Sequence, residues 1–206
     1  AATVNAGVDQ TICAGSTVTL AGVRGGSATS ATWSGGTGTY APNNTTLNAV
    51  YTPSAAERTA GTVTLTLTTN DPAGICTAVS DAMVITINPA ATVNAGVDQT
   101  VCSTSTVTLA GTIGGSAGSA TWSGGTGTYA PNNTTLNAVY TPSAAEITAG
   151  TVTLTLTTND PAGPCNAVND AMTITINQAA TVNAGVDQTI CAGSTVTLAG
   201  VRGGSA

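Results

Sequence analysis

The sequence contains no lysine, no histidine and no phenylalanine, and only three of its 206 residues carry a positive charge. With no basic run to neutralise a row of phosphates or an anionic lipid surface, nucleic acid is excluded as a partner. The missing histidine and lysine remove the usual bases that activate a serine, threonine or cysteine nucleophile. Tetrahedral zinc loses its imidazole donors, and no CxxC pair replaces them. An isopeptide staple needs a lysine and goes the same way. Apolar residues make up 41% of the chain but fall in short pieces. None approaches the roughly 20 apolar residues of a helical membrane span, so membrane insertion is not expected. Charged residues are 6% of the total and the net charge is -6. So little charge accompanies disorder only when apolar content is low too, and here regular Val/Leu/Ile alternation supplies a core.

What the sequence has instead is a repeat. Val4, Val93 and Val182 each begin the string VNAGVDQT, which sets a period of 89 residues. The division expected from it is repeat 1 at 1–89, repeat 2 at 90–178, and the truncated start of a third at 179–206. The two full copies differ at 12 positions, and residues 179–206 repeat residues 1–28 unchanged. A partial copy of 28 residues cannot close a sandwich alone. The expectation is a window from a longer array, with any export leader removed or outside it; the alternative is pairing of those strands with another chain.

Within a repeat the apolar residues recur every second position, in STVTLAG (16–22), GTVTLTLTT (61–69) and DAMVITIN (81–88). Val18, Leu20, Val63, Leu65, Leu67, Met83, Ile85 and Ile87 are expected to face one core, with Thr17, Thr19, Thr62, Thr64, Thr66 and Thr68 toward solvent. Gly, Asn, Asp and Pro mark the turns in RGGSATS, SGGTGT, APNNTT and NDPAG. PSAAERTAG is expected to hold one helical turn at most. Differences between copies collect in expected loops (Ala14/Ser103, Arg24/Ile113, Thr29/Gly118, Arg58/Ile147, Ile75/Pro164), and Val84/Thr173 falls on an outward face. The predicted fold class is all-β: tandem immunoglobulin-like β-sandwiches of about seven strands, one disulfide each.

Trp33, in the expected third strand, and its copy Trp122 are the expected core anchors. One tryptophan and two tyrosines per repeat make a small core, and small cores call for a staple. Cys13 and Cys76 lie 63 positions apart, as do Cys102 and Cys165, while Cys191 is left unpaired by the truncation. A bridge closing such a loop contributes roughly 4 kcal/mol in the chain-entropy model. The alternative is a pair of reduced buried thiols. Cysteines that recur with the repeat favour an oxidising compartment, hence a secreted, cell-surface protein.

No catalytic residue is assigned. Asp9, Glu57, Asp71 and Asp81 recur in each repeat, and two carboxylates can do acid/base work only if placed close together. No cofactor is expected and no metal site is assigned. The calcium candidates are Asp71 and Asp81 with their copies Asp160 and Asp170, which flank one predicted loop. Two carboxylates fall short of six to eight oxygens unless backbone carbonyls and Asn70 join them, and Asp in NDP is also a standard turn former. Asn43 and Asn44 fit the glycan-acceptor pattern N-x-[ST].

NAGVDQTICAGSTVTLAG, a strand tryptophan, AGTVTLTLTTNDPAG and a last strand MVITIN together resemble the PKD-like, immunoglobulin-like tandem repeats of large secreted cell-surface proteins of Bacteroidetes. The resemblance covers both full copies and the partial third. It implies export, often by the type IX route, and roles in attachment, gliding or the spacing of other modules, without catalysis. Where many PKD domains carry a WxFGDG-like segment this chain has TWSGGTGTY, so nothing tied to that segment carries over. The expected function is a structural extracellular repeat: a semi-rigid stalk, adhesin shaft or surface filament. The links Asn88-Pro89-Ala90-Ala91 and Asn177-Gln178-Ala179-Ala180 are too short for a flexible tether, and each unit is expected to add on the order of 35 to 40 Å from strands of about eight residues. Expected partners are neighbouring repeats of the same chain and identical chains meeting at edge strands in a filament. The alternative is a glycan- or cell-binding adhesin module using the loops around Arg24 and Arg58.

Overall fold

A computed structural model gives the structure of the chain and describes residues 1–70, 77–159 and 163–204. The first repeat contributes β1 (Ala2–Asn5), β2 (Gln10–Cys13), β3 (Val18–Thr19), β4 (Val23–Gly26), β5 (Ala31–Ser34), β6 (Thr39–Ala41), β7 (Val50–Thr52), α1 (Ala55–Ala60), β8 (Thr62–Thr69) and β9 (Ser80–Asn88). Seven of these strands build two sheets, one ordered β2-β9-β8-β5 and one ordered β3-β7-β6, while β1 and β4 form a separate ribbon. Strand β2 runs parallel to β9, with Gln10 opposite Ile85 and Cys13 opposite Asn88. The other pairings described in this repeat are antiparallel.

The second repeat contains β10 (Thr92–Asn94), β11 (Gln99–Cys102), β12 (Val107–Thr108), β13 (Thr112–Gly114), β14 (Ala120–Ser123), β15 (Thr128–Ala130), β16 (Val139–Thr141), α2 (Ala144–Ala149), β17 (Thr151–Thr158) and β18 (Asn169–Asn177). Its sheets are ordered β11-β18-β17-β14 and β12-β16-β15, the same topology one period on. Among the described residues, the partial third copy forms β19 (Thr181–Asn183) and β20 (Val201–Gly203), paired with each other.

The period-two reading fixes the core. Val18, Leu20, Val63, Leu65, Leu67, Met83, Ile85 and Ile87 are all buried and belong to one apolar cluster with Trp33 and Tyr51. Thr17, Thr19, Thr62 and Thr64 are exposed, whereas Thr66 and Thr68 are half-buried. STVTLAG pairs as a regular strand only at Val18–Thr19, then continues more loosely, with Leu20 N–H donating to Ala49 O at 2.9 Å and Gly22 N–H to Leu47 O at 3.1 Å. Trp33 sits on the fifth strand, fully buried, and its Nε1–H donates to Leu47 O at 3.2 Å. A Cβ on Gly22 stands 2.7 Å from Leu67 Cδ2 and 2.8 Å from Trp33 Cζ2, so only glycine lets the chain pass over the indole.

PSAAERTAG forms a six-residue helix, more than the single turn expected. The signal lies in its first residues. Ser54 caps the Glu57 N–H, and the Glu57 carboxylate returns to the Ser54 N–H, a capping box that the S-x-x-E spacing encodes. Gly61, at φ 77°, ends the helix in the left-handed conformation glycine favours.

By Cα proximity the chain forms two compact units, and the division does not follow the repeat boundary. Unit 1 comprises Ala1–Thr92, Gly114–Gly118 and Asp160–Ala167; unit 2 comprises Val93–Ile113, Ser119–Asn159 and Val168–Ala206.

Candidate functional site

The cysteine pairing differs from the one-bridge-per-repeat expectation. Cys13, at the end of β2, is bonded to Cys165, with an S–S distance of 2.11 Å, a Cα–Cα distance of 4.9 Å and a sequence separation of 152. Both cysteines lie in unit 1, because that unit takes in residues 160–167. Cys165 is buried at 2% exposure, and Cys102 is a free, exposed thiol, as is Cys191. Cys76, the expected partner of Cys13, lies outside the described residues.

The expected Cys102–Cys165 bridge fails on strand geometry. Cys102 stands opposite Asn177, at the far end of β18, whereas Cys165 precedes Asn169, the first residue of that strand. Eight steps along β18 span about 26 Å, and the four residues from Cys165 to Asn169 reach back at most about 14 Å. The remaining gap of about 12 Å is well beyond the 4.4–6.8 Å Cα spacing that disulfides require. Cys102 is therefore at the wrong end of its own sheet for Cys165, the loop cysteine of its own repeat.

The recurring carboxylates serve as backbone clamps. Asp81 Oδ2 accepts from the Ala6 N–H at 2.8 Å, and Asp9 Oδ1 accepts from the Val84 N–H at 2.8 Å, so two side chains extend the β2–β9 seam beyond its ladder. Asp170 and Asp98 do the same for Ala95 and Thr173 at 2.8 and 2.7 Å. Of the calcium candidates, Asp71 and Asp160 lie outside the described residues, and Asp81 and Asp170 are engaged as stated. Among the described residues no group of three or more His, Cys, Asp or Glu side chains comes together.

Glu57 is the buried carboxylate, at 7% exposure. Its Oε1 accepts from Tyr51 Oη at 2.7 Å and from the Thr37 N–H at 2.5 Å, and its Oε2 from the Ser54 N–H at 2.8 Å. Burial pushes its pKa up, but the backbone donors Ser54 and Thr37, with the Tyr51 and Ser54 side chains, outweigh burial and hold it below the ordinary value. Tyr51 is pushed upward by burial and by its bond to Glu57. Glu146 and Tyr140 repeat the arrangement. With every donor coming from its own repeat, this carboxylate locks the start of the helix to the sheet and holds no open face for a substrate.

Arg24 and Arg58 do not sit in loops: the first lies in β4 and the second in α1. Arg24 Nη1 donates to Ala28 O at 2.9 Å and Arg58 Nη1 to Pro53 O at 2.7 Å. Asn44, one of the two glycan-pattern residues, spends its Nδ2 on Trp33 O at 2.9 Å, and Asn43 Oδ1 accepts from the Thr45 N–H at 3.0 Å. In the partial copy, Ile190 and Leu198 are 49% and 85% exposed, where their counterparts Ile12 and Leu20 are buried. A cleft of about 290 Å³ lies there, lined by Ala184, Gly185, Val186, Asp187, Gln188, Val196, Leu198 and Ala199.

The chain is a tandem of immunoglobulin-like β-sandwich repeats, and solved structures share that fold. Hemolin, an insect immune protein whose domain arrangement bears on homophilic adhesion, superposes with a TM-score of 0.53 at 11% identity, over 84% of this chain and 46% of hemolin. A three-domain immunoglobulin fragment of titin gives 0.52 at 12% identity, over 87% of this chain and 67% of that one. A fragment of mouse cadherin-23 gives 0.52 at 13% identity, over 97% and 75%. At these identities the likeness is one of fold, and this chain spans less than half the length of the hemolin structure. No protein-family model and no curated protein sequence matches the chain.

Proposed function

We propose that the chain is a structural segment of an extracellular shaft or filament, of the PKD-like kind its sequence resembles, in which successive repeats are tied covalently. The observation that carries this reading is the Cys13–Cys165 bond, which joins a strand end of the first repeat to a loop of the second. A disulfide of this span suits an oxidising, extracellular setting, and it removes a long loop from the path of any pulling force. The immunoglobulin-like fold of hemolin and cadherin-23 fits a role in adhesion or spacing. The small charged content and the absence of histidine and lysine argue against catalysis. The glycan-binding alternative is less favoured: the arginines it depends on are engaged by carbonyls of their own repeat, and the second copy carries Ile113 and Ile147 in their places.

Antibody labelling of intact source cells, together with electron microscopy of the purified, non-reduced protein, tests the reading. Surface labelling and beaded rods or filaments with a spacing set by the repeat support it. A chain confined to a reducing compartment, with all five cysteines as thiols, overturns it.

A further inference from the structure

The N-x-[ST] pattern occurs in this chain only as two overlapping pairs in N-N-T-T, at Asn43 and Asn44 and one period on at Asn132 and Asn133. The structure treats the two members of each pair differently. Asn44 is tied to β5, the edge strand of its sheet: its Nδ2 donates to Trp33 O at 2.9 Å, and the Trp33 N–H donates to Asn44 O at 2.8 Å. Asn43 is exposed, and three donors converge on its Oδ1: the Thr45 N–H at 3.0 Å, the Thr45 hydroxyl at 2.7 Å and the Thr46 hydroxyl at 3.1 Å. Among the described residues no acceptor meets its Nδ2. Thr45 completes the pattern of Asn43 and Thr46 that of Asn44, yet both hydroxyls serve Asn43. The second repeat is built alike: Asn132 Oδ1 accepts from the Thr134 N–H at 3.0 Å and from the Thr134 and Thr135 hydroxyls at 2.7 and 3.1 Å, while Asn133 Nδ2 donates to Trp122 O at 3.0 Å.

We propose that Asn43 and Asn132 are acceptors of an N-linked oligosaccharide, one in each full repeat, and that Asn44 and Asn133 anchor the loop instead of accepting a sugar. The co-substrate is an oligosaccharide linked to a lipid diphosphate. Asn43 Nδ2 attacks the anomeric carbon of that sugar and a C–N bond forms. The C–O bond to the diphosphate breaks, the lipid diphosphate leaves with the electron pair, and the amide gives up one proton; nothing is oxidised or reduced. The donors on Oδ1 favour this step in two ways. They hold the side chain in one rotation, so less freedom is lost on meeting the sugar donor. They also stabilise the negative charge that gathers on the amide oxygen as the nitrogen loses its proton. The inference rests on the extracellular reading, which takes the chain past the membrane where a lipid-linked sugar is held. Because the loop is anchored on the edge strand β5, a bulky, hydrated sugar there hinders another chain from adding to that edge. With 6% charged residues, the chain has few charges to do the same work.

The test uses the whole chain purified from its source cells and peptide mass spectrometry with electron-transfer fragmentation, which leaves a sugar on the side chain that bears it. The expected result is a sugar mass on Asn43 and Asn132 and none on Asn44 and Asn133. Thr45→Ala with Thr134→Ala removes the pattern of the proposed acceptors and spares that of their neighbours, so occupancy should fall at least tenfold. Thr46→Ala with Thr135→Ala does the reverse and should keep it, as should Thr45→Ser with Thr134→Ser. Thr45 and Thr134 are exposed, so the variants are expected to keep the parent circular dichroism spectrum. Bare Asn43 and Asn132 in a chain that labels at the cell surface overturn this inference and leave the extracellular reading standing. Bare asparagines in a chain confined inside the cell overturn both. Sugar on Asn44 or Asn133, lost in the Thr46/Thr135 variant and kept in the Thr45/Thr134 alanine variant, overturns the assignment of the acceptors.

Discussion

Replacing Cys165 with serine opens the Cys13–Cys165 bridge, and the size of the effect follows from the loop that bond closes. With a separation of 152 residues, the chain-entropy model gives about 5 kcal/mol of stabilisation, against about 4 kcal/mol for a bridge within one repeat. Urea slopes for domains of this size are about 1–3 kcal/mol per molar, so the unfolding midpoint of the unit holding the bridge is expected to fall by roughly 2 M or more. The assay is equilibrium urea unfolding of the parent, C165S, C13S and C76S under non-reducing conditions, repeated with dithiothreitol. C165S and C13S should each match the reduced parent, and neither should respond further to reductant, because a single bond accounts for both losses. C76S should keep the parent midpoint. Parent-like stability of C165S with a large loss in C76S, or a Cys102–Cys165 linkage found by mass spectrometry of the non-reduced chain, would refute the strand-geometry argument.

Four other outcomes are expected. Glu57→Ala strips the partner from Tyr51 Oη and from the Thr37 and Ser54 N–H groups, and should destabilise its unit by about 3 kcal/mol in urea titration, with Glu146→Ala behaving alike. Both carboxyls have a folded pKa below the unfolded one, so their contribution is complete above the unfolded value and is lost as pH falls through the folded one; unfolding midpoints should decline below about pH 4.5, and less so in the alanine variants. Arg24→Ile and Arg58→Ile, which install the residues the second copy already carries, should shift stability by about 0.5 kcal/mol or less and leave any cell attachment intact; loss of attachment with the fold preserved would revive the glycan-binding reading. Under force applied to the termini, single-molecule extension in the presence of reductant should gain about 500 Å from the 151 residues enclosed by the bridge, and no such gain should appear without it.

The residues that define the sandwich were legible without a structure because strand periodicity is a local property. Alternation at Val63, Leu65 and Leu67, and at Met83, Ile85 and Ile87, has one interpretation, an inward face, and Trp33 had nowhere to go but the core. The S-x-x-E of Ser54 and Glu57 was equally local, a capping box whose helix is longer than a single turn, and its buried tyrosine partner was the part no spacing could announce. The aspartates were visible as recurring residues, but whether Asp81 holds a cation or the Ala6 N–H depends on which backbone groups meet across a separation of 75 positions.

The cysteine pairing shows where sequence stops. In a chain of period 89, a spacing of 63 and one of 152 both match a strand-end cysteine with a loop cysteine, so the repeat alone cannot choose between them. Tertiary structure chooses, because β11 runs parallel to β18 and places Cys102 beside the last residue of that strand while Cys165 precedes the first. A sheet strand is a rigid spacer of about 3.3 Å per residue, and a disulfide tolerates less than 7 Å between Cα atoms. Composition and periodicity by themselves determined an all-β, non-basic, repeating chain with its core residues in place; only the direction and length of the strands decided which cysteines meet.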